Sequence, residues 1–218
     1  NKFVRDYKSV YKYPESGESI KRLKNLRNDL YMCRALPNVQ GSDLALSLKD
    51  SNAIRNGRTE LSKLEKPFER KILVKTRGDF FGGDRPKSDF LYSTNLKFSK
   101  PNQSLLHLYH NSRIIIFEGL STGVSECIAL NRPFLIFNNN SHINVKNSRY
   151  KDLVEDLKDL DILQDNINGL HKMLSNQYIE DFYSSSFQAD FLKLQQTYFP
   201  ISEDYLKHWI EFFNESHI

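Results

Sequence analysis

Between Phe117 and Pro133 the chain reads EGLSTGVSECIALNR, and this stretch holds the residue types best suited to binding an anion. Ser121, Thr122 and Gly123 form a small-residue turn that opens a short apolar segment. If that segment is a helix, its first backbone N–H groups lack partners within the helix and carry the positive end of its dipole, which suits a phosphate. The two hydroxyls add donors, and Gly123 lets an anion approach. Glu126 lies about one turn into the helix, where a carboxylate can accept from a sugar hydroxyl, as acidic residues do for ribose in other α/β nucleotide sites. Plainer readings stand beside these. Ser121 and Thr122 suit an N-cap, Glu126 is favourable in a first helical turn, and Glu118 can pair with a nearby Lys or Arg. Lys75 and Arg77, in the upstream stretch ILVKTRGDFFGGDR, are either phosphate-facing cations or solvated loop charges.

Other chemistries lack their motifs. Cys127 occupies an apolar helical position with no adjacent His, the setting of a structural thiol. GVSEC is not a G-x-S-x-G elbow. GDFFGGD matches neither a P-loop nor G-x-G-x-x-G. His107, His110 and His142 are too scattered for a zinc site, and no metal is expected. No residue is assigned as a general base.

The elements around the turn are read from apolar periodicity. KILVKT (71–76), RIIIF (113–117) and PFLIF (133–137) are short continuous apolar runs, the pattern of strands buried on both faces. NQSLLHLYHNS (102–112) and STGVSECIALN (121–131) read as helices between them, and STNLKFSKP (93–101) holds a short strand. That alternation predicts an α/β, Rossmann-like, mostly parallel sheet flanked by helices. The loops after the three strands, TRGDFFGG, EGLSTG and NNNSHIN, should meet at the sheet's carboxyl edge, where such folds bind ligands. Upstream, Leu23, Leu26 and Leu30 predict a helix over 17–35, a helix opened by Ser42 or Asp43 is possible, and RNGR (55–58) is a turn signal. Downstream, helices are predicted over 150–163, 165–175, 179–199 and 202–216, with Phe182, Phe187, Phe191 and Leu194 facing inward. The domain reading is a mainly helical segment 1–66, connecting to a missing N-terminal domain, and an α/β domain 67–218 with C-terminal helices.

Composition agrees. The 218 residues include 39% hydrophobic residues, 15 Phe and 11 Tyr, enough to build a core. A net charge of +4 does not by itself call for nucleic acid. Cys33 and Cys127 make no metal or disulfide pattern, so reduced cytoplasmic thiols are expected. No apolar run approaches the roughly 18 residues of a membrane span.

NSRIIIFEGLSTGVSECIALNRPFLIF resembles the donor-binding segment of GT-B fold glycosyltransferases: strand, small-residue loop, helix with a Glu, then a Pro before the next strand. The closer likeness is to bacterial transferases of surface-carbohydrate (lipopolysaccharide O-antigen) biosynthesis, over residues 68–213. Ser125 stands where such helices carry an apolar residue, and Cys127-Ile128 where they carry Ala-Leu. The resemblance implies the C-terminal half of a GT-B fold that binds a nucleotide-sugar as substrate and needs no cofactor. Arg77 then contacts donor phosphate, Ser121 and Thr122 cradle it, and Glu126 holds the ribose. It also implies a glycan or lipid-linked acceptor, a catalytic base on an N-terminal domain, and a cytoplasmic location at the inner face of the membrane. Starting at Asn1, the chain is expected to be a fragment. The rival readings are a non-catalytic interaction module with an aromatic helical surface, and nucleic-acid binding through the basic segment 21–34.

Overall fold

The computed structural model describes residues 17–33, 48–63, 70–76, 90, 96–100, 103–138 and 148–198. Six strands form one all-parallel sheet: β1 (Asn28–Met32), β2 (Lys71–Lys75), β3 (Leu96–Phe98), β4 (Ser112–Phe117), β5 (Phe134–Phe137) and β6 (Leu163–Gln164). Eight helices are described: α1 (Gly17–Lys24), α2 (Leu48–Lys63), α3 (Leu105–His110), α4 (Thr122–Ala129), α5 (Ser148–Asp159), α6 (Ile167–Met173), α7 (Asn176–Phe182) and α8 (Ser185–Tyr198). The α/β, Rossmann-like class expected from the sequence is therefore the observed one.

The strand order is β3-β2-β1-β4-β5-β6, so the direction of winding reverses between β1 and β4. This doubly wound order places a crevice at the carboxyl ends of those two strands. β4 and β5 are buried along their whole length, as their uninterrupted apolar runs require, and Ile114, Ile115, Ile116 and Phe134 to Ile136 form the centre of the core.

Two expectations upstream, one helix and one turn, need correction. The helix predicted over 17–35 stops at Lys24, and NDLYM (28–32) is β1, a central strand. Leu30 is buried there as a strand residue. The segment before Pro67 therefore contributes a strand and a crossover helix to the sheet, and there is no single basic helix spanning 21–34. RNGR is not a turn either. α2 runs straight through it, with Ile54, Arg58 and Leu61 buried at i, i+4 and i+7.

Asp29 explains how a polar sequence enters the sheet. Its carboxylate accepts from Arg113 Nε at 2.9 Å and Nη2 at 2.8 Å, with both side chains fully buried. It also accepts from the Ile114 amide at 3.3 Å, where the β1–β4 register shifts between Asn28 and Leu30. The carboxylate takes over a donor that the irregular ladder leaves unmatched. Arg113 also donates to Leu174 O and Asn176 Oδ1, which ties α7 to the sheet.

Downstream, β6 is a short strand the sequence reading did not anticipate. α4 and α5 both end in Schellman turns. Asn131 (φ 47°) and Asp161 (φ 54°) adopt the left-handed conformation, and the next amides, Arg132 and Ile162, donate to Cys127 O and Leu157 O at 2.9 Å. The single helix expected over 179–199 is two. Ser184 Oγ accepts from the Phe187 amide at 3.3 Å and starts α8, while Tyr183 Oη donates to Asn131 O at 3.0 Å. These bonds hold the break between α7 and α8.

α6 and α7 pack back on the sheet. α6 lies against β5, β6 and α2, and Tyr178 Oη donates to Phe134 O at 2.6 Å. Phe182 and Phe191 are buried against one another and Phe191 against Phe134, with Phe187 packed alongside. The aromatic residues of this tail are core and do not form an open partner surface among the described residues. The helix expected over 202–216 and the loop residues 77–89 and 139–147 lie outside them. No helix among the described residues is long and apolar enough to cross a membrane.

Candidate functional site

The carboxyl edge of the sheet is a row of strand ends, Lys75 paired with Met32 and Met32 with Phe117. Beyond it the backbone stays ordered by bonds from one strand end to the next. The Cys33 amide donates to Lys75 O at 3.0 Å and the Glu118 amide to Met32 O at 3.3 Å. After Glu118 the chain turns through Gly119, whose φ of 80° is readily adopted only by glycine. It then reaches Ser121 at the N-cap of α4.

Ser121 is extended (φ −148°, ψ 167°) and exposed, and its side chain makes no capping hydrogen bond. The backbone reason for a cap is present, since Ser121 O accepts from the Val124 amide at 3.0 Å. The hydroxyl itself is therefore not consumed in capping, the plainer of the two roles weighed for it. Thr122 is the first residue of α4, so its amide lies in the unpaired first turn.

Gly123 has a packing reason for its identity. A Cβ built on it would lie 2.6 Å from Phe117 Cε1 and 2.7 Å from Tyr109 Oη. Both rings are buried and meet edge to face at 6.5 Å. The first turn of α4 thus sits directly on the end of β4, as the close helix–strand approach in nucleotide-binding α/β folds demands. Glu126 follows on α4, half-buried beside Cys127.

Ser121, Thr122, Gly123 and Glu126 are thereby brought together on one helix start at the winding reversal. Lys75 is not with them. It ends β2, on the far side of β1, and its ammonium makes long contacts of 3.4 and 3.5 Å to Lys100 O and Gln103 O. Arg77 lies outside the described residues.

The sequence reading passed over Arg58 and Tyr31 at this edge. Glu118 is buried and forms a two-pronged ion pair with Arg58 of α2, Nε–Oε1 2.7 Å and Nη2–Oε2 2.6 Å. The pairing with a basic residue anticipated for Glu118 is thus present, though its partner is 60 positions away. Tyr31, from β1, donates to the same carboxylate. Burial first, and then the Glu118 charge, push the Tyr31 phenol well above its usual range, so it stays a neutral donor. Burial pulls Arg58 down, but the hydrogen bonds and charge of Glu118 outweigh it and hold the guanidinium above its ordinary value. Phe90 lies edge-on to Tyr31 at 6.0 Å and under the guanidinium at 5.9 Å. One signal was present in the sequence: an arginine between Ile54 and Leu61 on an apolar helical face.

Cys127 is fully buried, and burial raises its thiol far above the normal range, with a further push from Glu126 and an opposing pull from Arg132. We expect iodoacetamide at pH 8 to leave Cys127 unmodified in the native protein and to alkylate it in denaturant, as read by peptide mass spectrometry. Rapid native labelling would contradict the buried placement.

A separate surface groove of about 400 Å³ lies between the end of α5 and α8, lined by Asp156, Asp159, Asp190 and Lys193 among others. It opens where α5 turns into β6, at the amino edge of the sheet and away from the α4 start.

The family model described as LIC12162 family transferase matches residues 20–212 of the chain. No curated protein matches it at a significant level.

Proposed function

The chain belongs to the LIC12162 family of transferases, and we propose that it is the donor-binding half of a GT-B-like glycosyltransferase that takes sugar from a nucleotide-sugar. Group transfer is the chemistry of the family. What supports a phosphate-bearing donor is one observation: the start of α4, with Ser121 uncommitted to capping and Glu126 beside it, lies at the winding reversal between β1 and β4. In this reading the first amides of α4 and the hydroxyls of Ser121 and Thr122 hold the donor diphosphate. Arg77 adds a cation from the loop after β2, with Lys75 at that strand's end, and Gly123 keeps the helix start close to the sheet. Glu126 accepts from a ribose hydroxyl. Catalysis is then electrostatic, since preorganised amides and Arg77 stabilise the charge that develops on the leaving phosphate. The acceptor, a glycan or lipid-linked sugar of a bacterial surface polysaccharide such as O-antigen, and the catalytic base come from a further domain. The reaction takes place in the cytoplasm at the inner face of the membrane, and no cofactor beyond the sugar nucleotide takes part.

Calorimetry against a panel of nucleoside diphosphates and nucleotide-sugars tests this. One member should bind, and Arg77→Ala and Glu126→Gln should each weaken it by about 10–100-fold, the loss of one hydrogen bond to a charged group. Failure of the whole panel to bind, or unchanged affinity in both variants, would overturn the reading.

A further inference from the structure

The donor reading leaves Tyr31, Arg58 and Glu118 with no task, although all three are buried at the reversal itself. Their placement is unusual in one respect. Arg58 comes from α2, the crossover that leaves β1, whereas Glu118 is the first residue after β4. The connections that leave the two strands diverge here, and the ion pair spans the divergence. Tyr31 adds a third tie from β1 to the same carboxylate.

Stability alone is a poor reason for such a pair. Replacing a buried ion pair by apolar residues of similar volume is often neutral or stabilising, because desolvation offsets the Coulombic gain. What the pair supplies that apolar side chains do not is direction. A guanidinium fork holding both carboxylate oxygens fixes orientation as well as distance. Glu118 is followed at once by Gly119, which has no side chain to restrain it, and then by Leu120 and the N-cap Ser121. The orientation of Glu118 therefore sets where this turn begins and where the first amides of α4 point.

We infer that Arg58 and Tyr31 are positioning residues. By clamping Glu118 they hold the Gly119–Ser121 turn in its anion-binding orientation, so that they govern affinity for a nucleoside diphosphate more than stability of the fold. This rests on the donor reading above for its ligand, while the ordering of the turn is independent of it.

The test is the apolar exchange Arg58→Met/Glu118→Leu, with Arg58→Lys and Tyr31→Phe beside it. Each is read by thermal melting, by hydrogen exchange of the peptide covering 118–125, and by calorimetry with UDP, GDP and CDP. The double variant should melt within about 4 °C of the parent, a change typical of a minor stability effect. Its 119–124 amides should exchange about tenfold faster or more while the other sheet peptides stay unchanged. Its affinity for the nucleoside diphosphate should fall about tenfold or more. Arg58→Lys, which keeps the charge and loses the fork, should not restore either property. Parent-like exchange at 119–124, or parent-like affinity, in the double variant would overturn the inference. Should the double variant not fold, parent-like exchange in both Arg58→Lys and Tyr31→Phe would do so. If the parent binds none of the three nucleotides, the donor reading is what fails for them, and hydrogen exchange still decides whether the clamp orders the turn.

Discussion

Asp29→Asn should be among the most destabilising single substitutions in this chain, lowering stability by about 3–5 kcal/mol. Asp29 and Arg113 are both fully buried, and the carboxylate answers two guanidinium nitrogens and the Ile114 amide. An amide in place of the carboxylate leaves the Arg113 charge uncompensated in the core. Arg113→Met does the converse and also removes the bonds to Leu174 O and Asn176 Oδ1 that anchor the start of α7. Against a total folding free energy of about 5–15 kcal/mol, either change removes a large fraction of the stability. Urea unfolding followed by circular dichroism measures it. The pair variant Asp29→Leu/Arg113→Met should be less destabilised than the two single effects added together, since neither half is then left charged and alone. A loss below about 1 kcal/mol for Asp29→Asn would show that the irregularity between β1 and β4 does not depend on this carboxylate.

Gly123→Ala should damage both stability and ligand binding. The new methyl would overlap Phe117 Cε1 at 2.6 Å and Tyr109 Oη at 2.7 Å. Phe117 is wedged between Tyr109 and Phe134, with ring centroids 6.5 and 6.3 Å away, so the ring has little room to withdraw. Overpacking of this kind costs about 1–3 kcal/mol. Alanine's better helix propensity returns up to about 1 kcal/mol, leaving a net loss of up to about 2 kcal/mol. The larger consequence is geometric. α4 must rise from the sheet at its first turn, which displaces its first amides, and if these hold the donor as proposed, nucleoside diphosphate affinity should fall about tenfold or more. Gly169→Ala is the internal control. Its methyl would meet Gln164 Oε1 at 2.4 Å, the far end of a flexible side chain that can swing aside. That variant should hold its melting temperature within about 3 °C. Equal destabilisation of the two variants would mean that the rings under Gly123 yield as easily as Gln164.

The contrast between these glycines shows how unevenly the sequence speaks. Nothing in STGVS or NGLHK distinguishes a glycine pressed onto buried rings from one beside a movable amide. The alternation of strand and helix from Lys71 to Phe137 was legible because β4 and β5 are buried on both faces, so every residue of RIIIF and FLIF reports its surroundings in its own side chain. β1 was not. Its Asn28 and Asp29 look like surface residues, and Leu23, Leu26 and Leu30 fall by coincidence at helical spacing. The carboxylate that makes the strand tolerable in the core has its partner 84 positions away. The break between α7 and α8 was hidden for a related reason. FYSSSF is compatible with a continuous helix until Tyr183 finds Asn131 O.

The site divides in the same way. The turn Ser121–Gly123 and the place of Glu126 in the helix after it were determined by the sequence itself, because small residues after an apolar run and before an amphipathic one dictate a strand–turn–helix whatever surrounds them. That this turn stands at the reversal between β1 and β4, that Lys75 lies on the far side of β1, and that Glu118 is clamped by Arg58 and Tyr31 were decided only by the tertiary structure. Strand order and buried charge pairing join residues far apart in the chain, and local propensity carries no record of which distant partner will arrive.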